Sequence, residues 1–260
     1  MDLADVVERT QWDWFWVPAD VRLVDRPELL YAVCPRDVPM LNCVTRTRAP
    51  AEALPALVAE VGEAHQRVCS RWLVRDAPWA QPLARSLAEA GWAPAVPTDA
   101  RAIAVTAYHP RPLPALEVRR VQTMAELRDA VTVIDRAFPG GLEYTQEQYD
   151  NDLAQCCDEA ARVQRFVAYR QGSGEPIATG GMTLFRELGF GYLWAGCTVV
   201  EARGHGAYSA LVAARVERAR LLGLSHVGLY AITTTSSPIV ARQGFARVGS
   251  MTYWERPAAH

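Results

Sequence analysis

Arg203-Gly204-His205-Gly206-Ala207-Tyr208-Ser209 is the stretch whose reading decides the fold. It follows an apolar, strand-like run from Gly191 to Val200 and opens a helical pattern that continues to about Leu222. Glycines between a strand and a helix let the backbone come close to a ligand. The start of the helix turns unpaired N–H groups and the positive end of its dipole toward that ligand. The pattern predicts an anion site, with a phosphate as the expected guest. The G-x-G-x-x-G spacing of a dinucleotide loop is not met, because position 209 is serine.

Working outward, the order of elements around this loop occurs twice. Ala210 to Val216 echoes Ala56 to Val61 at an offset of 154. Each helix follows an apolar strand, Leu193 to Val200 and Met40 to Val44, and precedes another, Ser225 to Tyr230 and Ser70 to Val74. Each unit then has a short helix ending in Gly-aromatic, Gly244-Phe245 and Gly91-Trp92. A last strand follows, Ala246 to Trp254 and Ala102 to Tyr108. The reading is β-α-β-α-β in tandem. The proline-rich His109 to Pro114 serves as linker. Ahead of the second repeat lie a strand (Leu116 to Val121), helices (Met124 to Phe138, Gln146 to Asp158), and strands Arg165 to Arg170 and Pro176 to Phe185. The last two are joined by a hairpin signal at Gln171 to Gly174. The first segment opens with a helix over Leu3 to Trp16 and strands near Val21 and Leu30. The expected fold class is α/β (α+β), with two mixed-sheet domains, 1–110 and 115–260, and helices on both faces.

A chain of 260 residues can bury a substantial core, and its net charge of −2 gives no sign of a polyanionic partner such as nucleic acid. All 27 basic residues are arginine, which excludes a P-loop lysine and a lysine Schiff base. Six cysteines show no C-x-x-C spacing, and no metal site is expected. Cys156-Cys157 is the redox candidate, weighed against the rarity of disulfides in reducing compartments. No apolar run is long enough for a bilayer and none opens the chain as a signal peptide, so a cytoplasmic protein without a membrane partner is expected. The alternating Trp12, Trp14 and Trp16 read as core or domain packing before they read as an acceptor lining.

Arg203-x-x-Gly206 after a strand, the amphipathic helix, the next strand and the distal Ser237-Pro238…Gln243-Gly244-Phe245 together resemble the GNAT N-acetyltransferase superfamily. Its motif reads Arg/Gln-x-x-Gly-x-Gly/Ala, and Tyr208 departs from the last position. The likeness is clear over Leu116 to Glu255 and faint before it. It implies acetyl-CoA as co-substrate, its pyrophosphate on the loop amides and its pantetheine arm alongside the end of the preceding strand. The cofactor-binding residues so implied are Thr198, Val199, Val200, Arg203, Gly204, His205, Gly206, Ala207, Tyr208, Ser209 and, at the later helix start, Thr233. In the first repeat Ala49, Pro50 and Glu52 stand where Arg203, Gly204 and Gly206 stand in the second. A carboxylate repels phosphate and proline removes an amide donor, so the first unit reads as a degenerate copy that shapes the acceptor site or the structure.

The implied reaction is transfer of an acetyl group to an amine of a small molecule, by direct attack, in a monomer or homodimer. Many relatives protonate the departing thiolate with a tyrosine four residues before Gly-Phe, where this chain has Val240. Tyr230 is the nearest replacement acid by sequence, and the hydroxyls of Thr233 to Ser237 are further candidates; each also reads as packing or a helix cap. Glu143 is the candidate to bind the acceptor ammonium or take its proton, beside a reading as a solvated loop acid. A non-catalytic acyl-CoA sensor or scaffold, and an N-terminal acetyltransferase of proteins or peptides, are the alternatives.

Overall fold

The computed structural model describes residues 2–15, 17–111, 116–138 and 144–258. Glu143, Trp16 and part of the proline linker lie outside the described residues. In chain order the elements are α1 (Leu3–Arg9), β1 (Arg22–Arg26), β2 (Leu29–Val33), β3 (Cys43–Thr47), α2 (Leu54–Ala64), β4 (Ser70–Arg75), α3 (Ala80–Glu89) and β5 (Ala93–Ala104). There follow β6 (Leu116–Arg120), α4 (Met124–Ala137), α5 (Gln146–Cys156), β7 (Val163–Arg170), β8 (Pro176–Phe185), β9 (Phe190–Thr198), α6 (Ala207–Leu221), β10 (His226–Ile232), α7 (Ser236–Ala241) and β11 (Ala246–Arg256). The chain divides into two compact units: Met1–Arg101 with Tyr230–Pro238 and Arg247–His260, and Ala102–Leu229 with Ile239–Ala246. Among the described residues no helix is long and apolar enough to cross a membrane.

The first unit orders its strands β1-β2-β3-β4-β11-β5. Sequence order places the last strand in the second domain, but it pairs antiparallel with β4, from Met251↔Arg75 to Arg256↔Ser70. Side chains explain the choice. Arg71 makes two hydrogen bonds to Glu255 Oε1, at 2.9 and 2.6 Å, and the Arg256 guanidinium stands 3.9 Å over the Trp92 ring. The boundary between 1–110 and 115–260 is therefore crossed by β11 and by the end of β10. The final strand of the first repeat also differs: it begins at Ala93 and ends at Ala104, short of Tyr108.

Helices α2 and α3 cover one face of this sheet, burying Leu54, Val58, Leu83 and Leu87 against Val44 and Trp72. Trp72 is fully buried, its indole N–H given to Thr47 Oγ1 at 2.9 Å. The predicted helix from Leu3 stops at Arg9, where Thr10 Oγ1 donates to Val7 O at 2.6 Å and tight turns follow. That frees Trp14 to pack on Leu30, Ala32 and Cys43, with its N–H on Thr45 Oγ1 at 3.2 Å. Glu8 is buried between Arg48 (2.8 Å) and Arg75 (2.5 Å), and burial raises its pKa despite both cations.

His65 has no exposed surface; its ring nitrogens meet Ser70 Oγ and Ala32 O, each at 2.8 Å. Burial holds its pKa below the ordinary histidine value. A histidine kept neutral when folded takes up its proton on unfolding, so this contribution to stability is present above pH ~6.5 and is lost as pH falls below it. Stability in urea is expected to drop between pH 7 and pH 5 by up to about 1.4 kcal/mol per pH unit. A matched titration of His65→Gln should lack this component.

The second unit orders its strands β6-β7-β8-β9-β10, antiparallel from β6 to β9 and parallel between β9 and β10. The predicted hairpin joins β7 to β8, with Gly172 and Gly174 at positive φ as that turn demands. Reciprocal capping boxes start α4 and α5: Thr123 with Glu126 on α4, Thr145 with Gln148 on α5. The cysteines are free thiols. Burial pushes the Cys156 thiol up to about 11, which disfavours its thiolate.

Candidate functional site

Strand β9 runs between β8 and β10, but its register with β10 spans only His226↔Phe190 to Gly228↔Tyr192. Beyond Tyr192 the β9 edge away from β8 continues to Thr198 without these partners. The divergence coincides with a bulge. Thr179 pairs with Cys197 and Gly181 with Trp194, so Ala195 and Gly196 together oppose Gly180. Ala195 takes a φ of +47°, a left-handed conformation that costs a non-glycine residue about 1–2 kcal/mol.

Three glycines make this bulge possible by yielding space to neighbouring side chains. A Cβ on Gly181 would stand 2.2 Å from the Trp194 ring, one on Gly180 2.9 Å from Arg215 Nη1, and one on Gly196 2.7 Å from Tyr208 Cε2. The Tyr208 ring thus packs on the sheet at the bulge, and the motif's departure at this position is absorbed by the glycine it rests on.

From Thr198 the chain passes through a single helical turn, Val200–Ala202, into the glycine loop. Gly204 and Gly206 have φ of +80° and +86°. Gly206 is the N-cap of α6 and offers no side-chain cap. The first helical hydrogen bond after it is Ala210 N–H to Gly206 O at 2.9 Å, which leaves the amides of Ala207, Tyr208 and Ser209 outside the helical ladder. Such a helix start attracts anions. The strand side of the loop is anchored twice. Arg203 Nε donates to Thr198 O at 3.3 Å, and Arg136 of α4 pairs with both Glu201 and Glu175. Glu201's carboxyl is held below its ordinary pKa, first by its own backbone N–H and then by Arg136. Thr198 Oγ1 is buried with no hydrogen-bond partner, an orphan acceptor at the end of the open edge.

The expected residues Thr198, Val199, Val200 and Arg203 to Ser209 therefore run in one stretch from strand edge to helix start, with Val199 and Ala207 buried and Val200, Arg203, Gly204 and His205 exposed. Ser209 Oγ accepts from Gln243 Nε2 at 3.1 Å, and Gln243 Oε1 accepts from Tyr108 Oη at 2.9 Å. This ties the first turn of α6 to the residues before Gly244-Phe245. Val240 is fully buried and presents no acid. Tyr230 and Thr233 fall in the first unit. Tyr230 lines a depression there with Glu8, Gln11, Arg75 and Trp79, and Thr233 N–H donates to Pro97 O at 3.2 Å. Ser237 Oγ donates to Asp99 at 2.5 Å and accepts from Arg101 Nε at 2.6 Å, so that hydroxyl is already committed. Sequence pattern alone does not single out Arg136, Arg215 or the glycines of the bulge. The available signals were a strand run carrying Gly180-Gly181 and Gly196, and an arginine inside the apolar stripe of α6.

Among the described residues no cluster of metal-ligating side chains occurs. No protein-family model matches the chain, and no curated protein matches it. Solved structures do. A GCN5-related N-acetyltransferase from Kribbella flavida superposes with a TM-score of 0.68 at 15% identity, covering 100% of this chain and 97% of the other. One from Sphaerobacter thermophilus gives 0.65 at 16% identity, over 98% and 91%. A tandem GNAT protein from the clavulanic acid biosynthesis pathway gives 0.62 at 15% identity, over 96% and 87%.

Proposed function

We propose, from the GNAT fold that this chain has over its whole length, that its second unit binds acetyl-CoA and transfers the acetyl group to an amine. The observation that carries the reading is the open edge of β9 beyond Tyr192 running into a glycine loop with uncapped helical amides. An extended pantetheine arm satisfies such an edge as an added strand would. Anionic phosphates suit the N–H groups at the start of α6. Among its described residues the first unit shows no equivalent loop. Glu52 and Pro50 stand in its place, and Pro50 leads into a short helical turn with no side-chain cap.

In the proposed reaction the neutral amine of a small-molecule acceptor attacks the thioester directly. The chain's own part is to align the thioester along β9 and to hold its carbonyl at the bulge, where the backbone turns away from the ladder. The fully buried Val240 favours a second reading, an acyl-CoA-binding protein without turnover. Calorimetric titration with acetyl-CoA, followed by thiol release in the presence of a panel of amines, separates the two. Acetyl-CoA is expected to bind and an amine to accelerate thiol release. Binding without turnover moves the assignment to the second reading, and absence of binding sinks both.

A further inference from the structure

Arg215 is buried in a way that packing alone does not explain. It sits in α6 between Leu211 and Val216 with 1% of its surface exposed. Its Nε donates to Leu211 O at 3.0 Å, and its Nη1 donates to Gly181 O at 3.0 Å and to Trp194 O at 3.5 Å. Its Nη2 is buried with no partner. The titratable groups that act on its charge are Tyr208 on α6, Tyr108 ahead of β6 and Cys197 on β9, and none is a carboxylate. A buried cation without a counter-charge destabilises a fold. The guanidinium nevertheless lies against the bulge: Nη1 is 2.9 Å from where a Cβ on Gly180 would be, and Nη2 is 3.5 Å from where one on Gly196 would be. The strand it supports is the one whose outer edge lies open.

We propose that Arg215 supplies the counter-charge for the thiolate released during acyl transfer. The inference rests on the acyl-CoA reading of the same strand edge. The amine nitrogen attacks the thioester carbonyl carbon and the C–N bond forms. The C–S bond breaks, sulfur keeps the electron pair, and the ammonium proton passes to water. No acid is then required at Val240. Arg215 does not need to touch the reacting atoms, because charges interact strongly across a water-poor interior. It is a charge-balancing residue that acts through the bulge.

The test compares the affinities of CoA and acetyl-CoA from pH 6.5 to pH 9.5. The two ligands carry the same phosphates and differ in the ionisable thiol, so their ratio isolates it. The protein groups around Arg215 stay protonated in this window: burial pushes the Cys197 thiol up to about 11 and raises Tyr108 and Tyr208 above the ordinary tyrosine value. A thiol of ordinary pKa about 8.5 that drops about one unit on binding makes CoA gain about tenfold over acetyl-CoA across the range. In Arg215→Met, of similar length and without charge, the ratio should stay flat and the melting temperature should not fall. Arg215→Lys keeps the charge and should keep most of the gain. A flat ratio in the unaltered protein with acetyl-CoA still bound overturns the proposal alone. So does a gain that persists in Arg215→Met. Failure of both ligands to bind overturns the acyl-CoA reading and this inference with it.

Discussion

Gly206→Glu is expected to lower acetyl-CoA affinity at least about a hundredfold, roughly 2.7 kcal/mol, while circular dichroism shows the fold retained. The substitution copies Glu52 of the first repeat into the second. Two effects act on it. Gly206 has a φ of +86°, so a glutamate there carries about 1–2 kcal/mol of conformational strain. The carboxylate also sits at the N-terminus of α6, where it is attracted by the same amides and dipole as a phosphate. It occupies the anion site from within and repels the ligand. Gly206→Asn separates the two, since asparagine tolerates this backbone region and brings no charge. It should retain most of the affinity. Equal losses in both variants would show that strain, not charge, empties the site, and unchanged affinity in Gly206→Glu would sink the phosphate-loop assignment.

This loop was legible because its chemistry is local. A strand, two glycines and a helix follow one another within the chain, and positive φ at Gly204 and Gly206 is what glycine at those places signals. The tandem order of elements was legible for the same reason, since each strand and helix has its own periodicity. What sequence order could not carry was pairing. The strand read over Ala246 to Trp254 is present and runs on to Arg256, yet its partner is set by cross-strand contacts such as Arg71 with Glu255, 184 positions away. The bulge was hidden because Gly180, Gly181 and Gly196 are unremarkable until Arg215, Trp194 and Tyr208 are seen to need their space. Tyr230 is the nearest tyrosine to Val240 along the chain, and the structure sets it among Glu8, Gln11 and Arg75 of the first unit. Nearness in sequence to a missing acid is a poor guide where a strand belongs to one unit at its start and to the other at its end.

Gly196→Ala should destabilise the protein by about 1–3 kcal/mol in urea and weaken acetyl-CoA binding with it. One methyl group has this effect because it would stand 2.7 Å from Tyr208 Cε2, closer than carbon atoms approach. The ring cannot withdraw freely, since Tyr208 is the second residue of α6 and its own amide belongs to the anion-binding turn. Displacing the ring displaces that turn. The other neighbour, Arg215 Nη2 at 3.5 Å, is at ordinary contact distance and contributes no clash. The effect should therefore depend on Tyr208 alone. In a Tyr208→Ala background, which restores the small residue usual at this motif position, Gly196→Ala should cost almost nothing. The coupling between the two substitutions should be about 1 kcal/mol or more, as for side chains in direct contact. Strictly additive losses would mean that the bulge and the loop are held independently, and that Tyr208 is tolerated for some reason other than the glycine beneath it. Coupled losses would make the departure at Tyr208 and the glycine at 196 a single feature, one residue having grown into the space the other leaves.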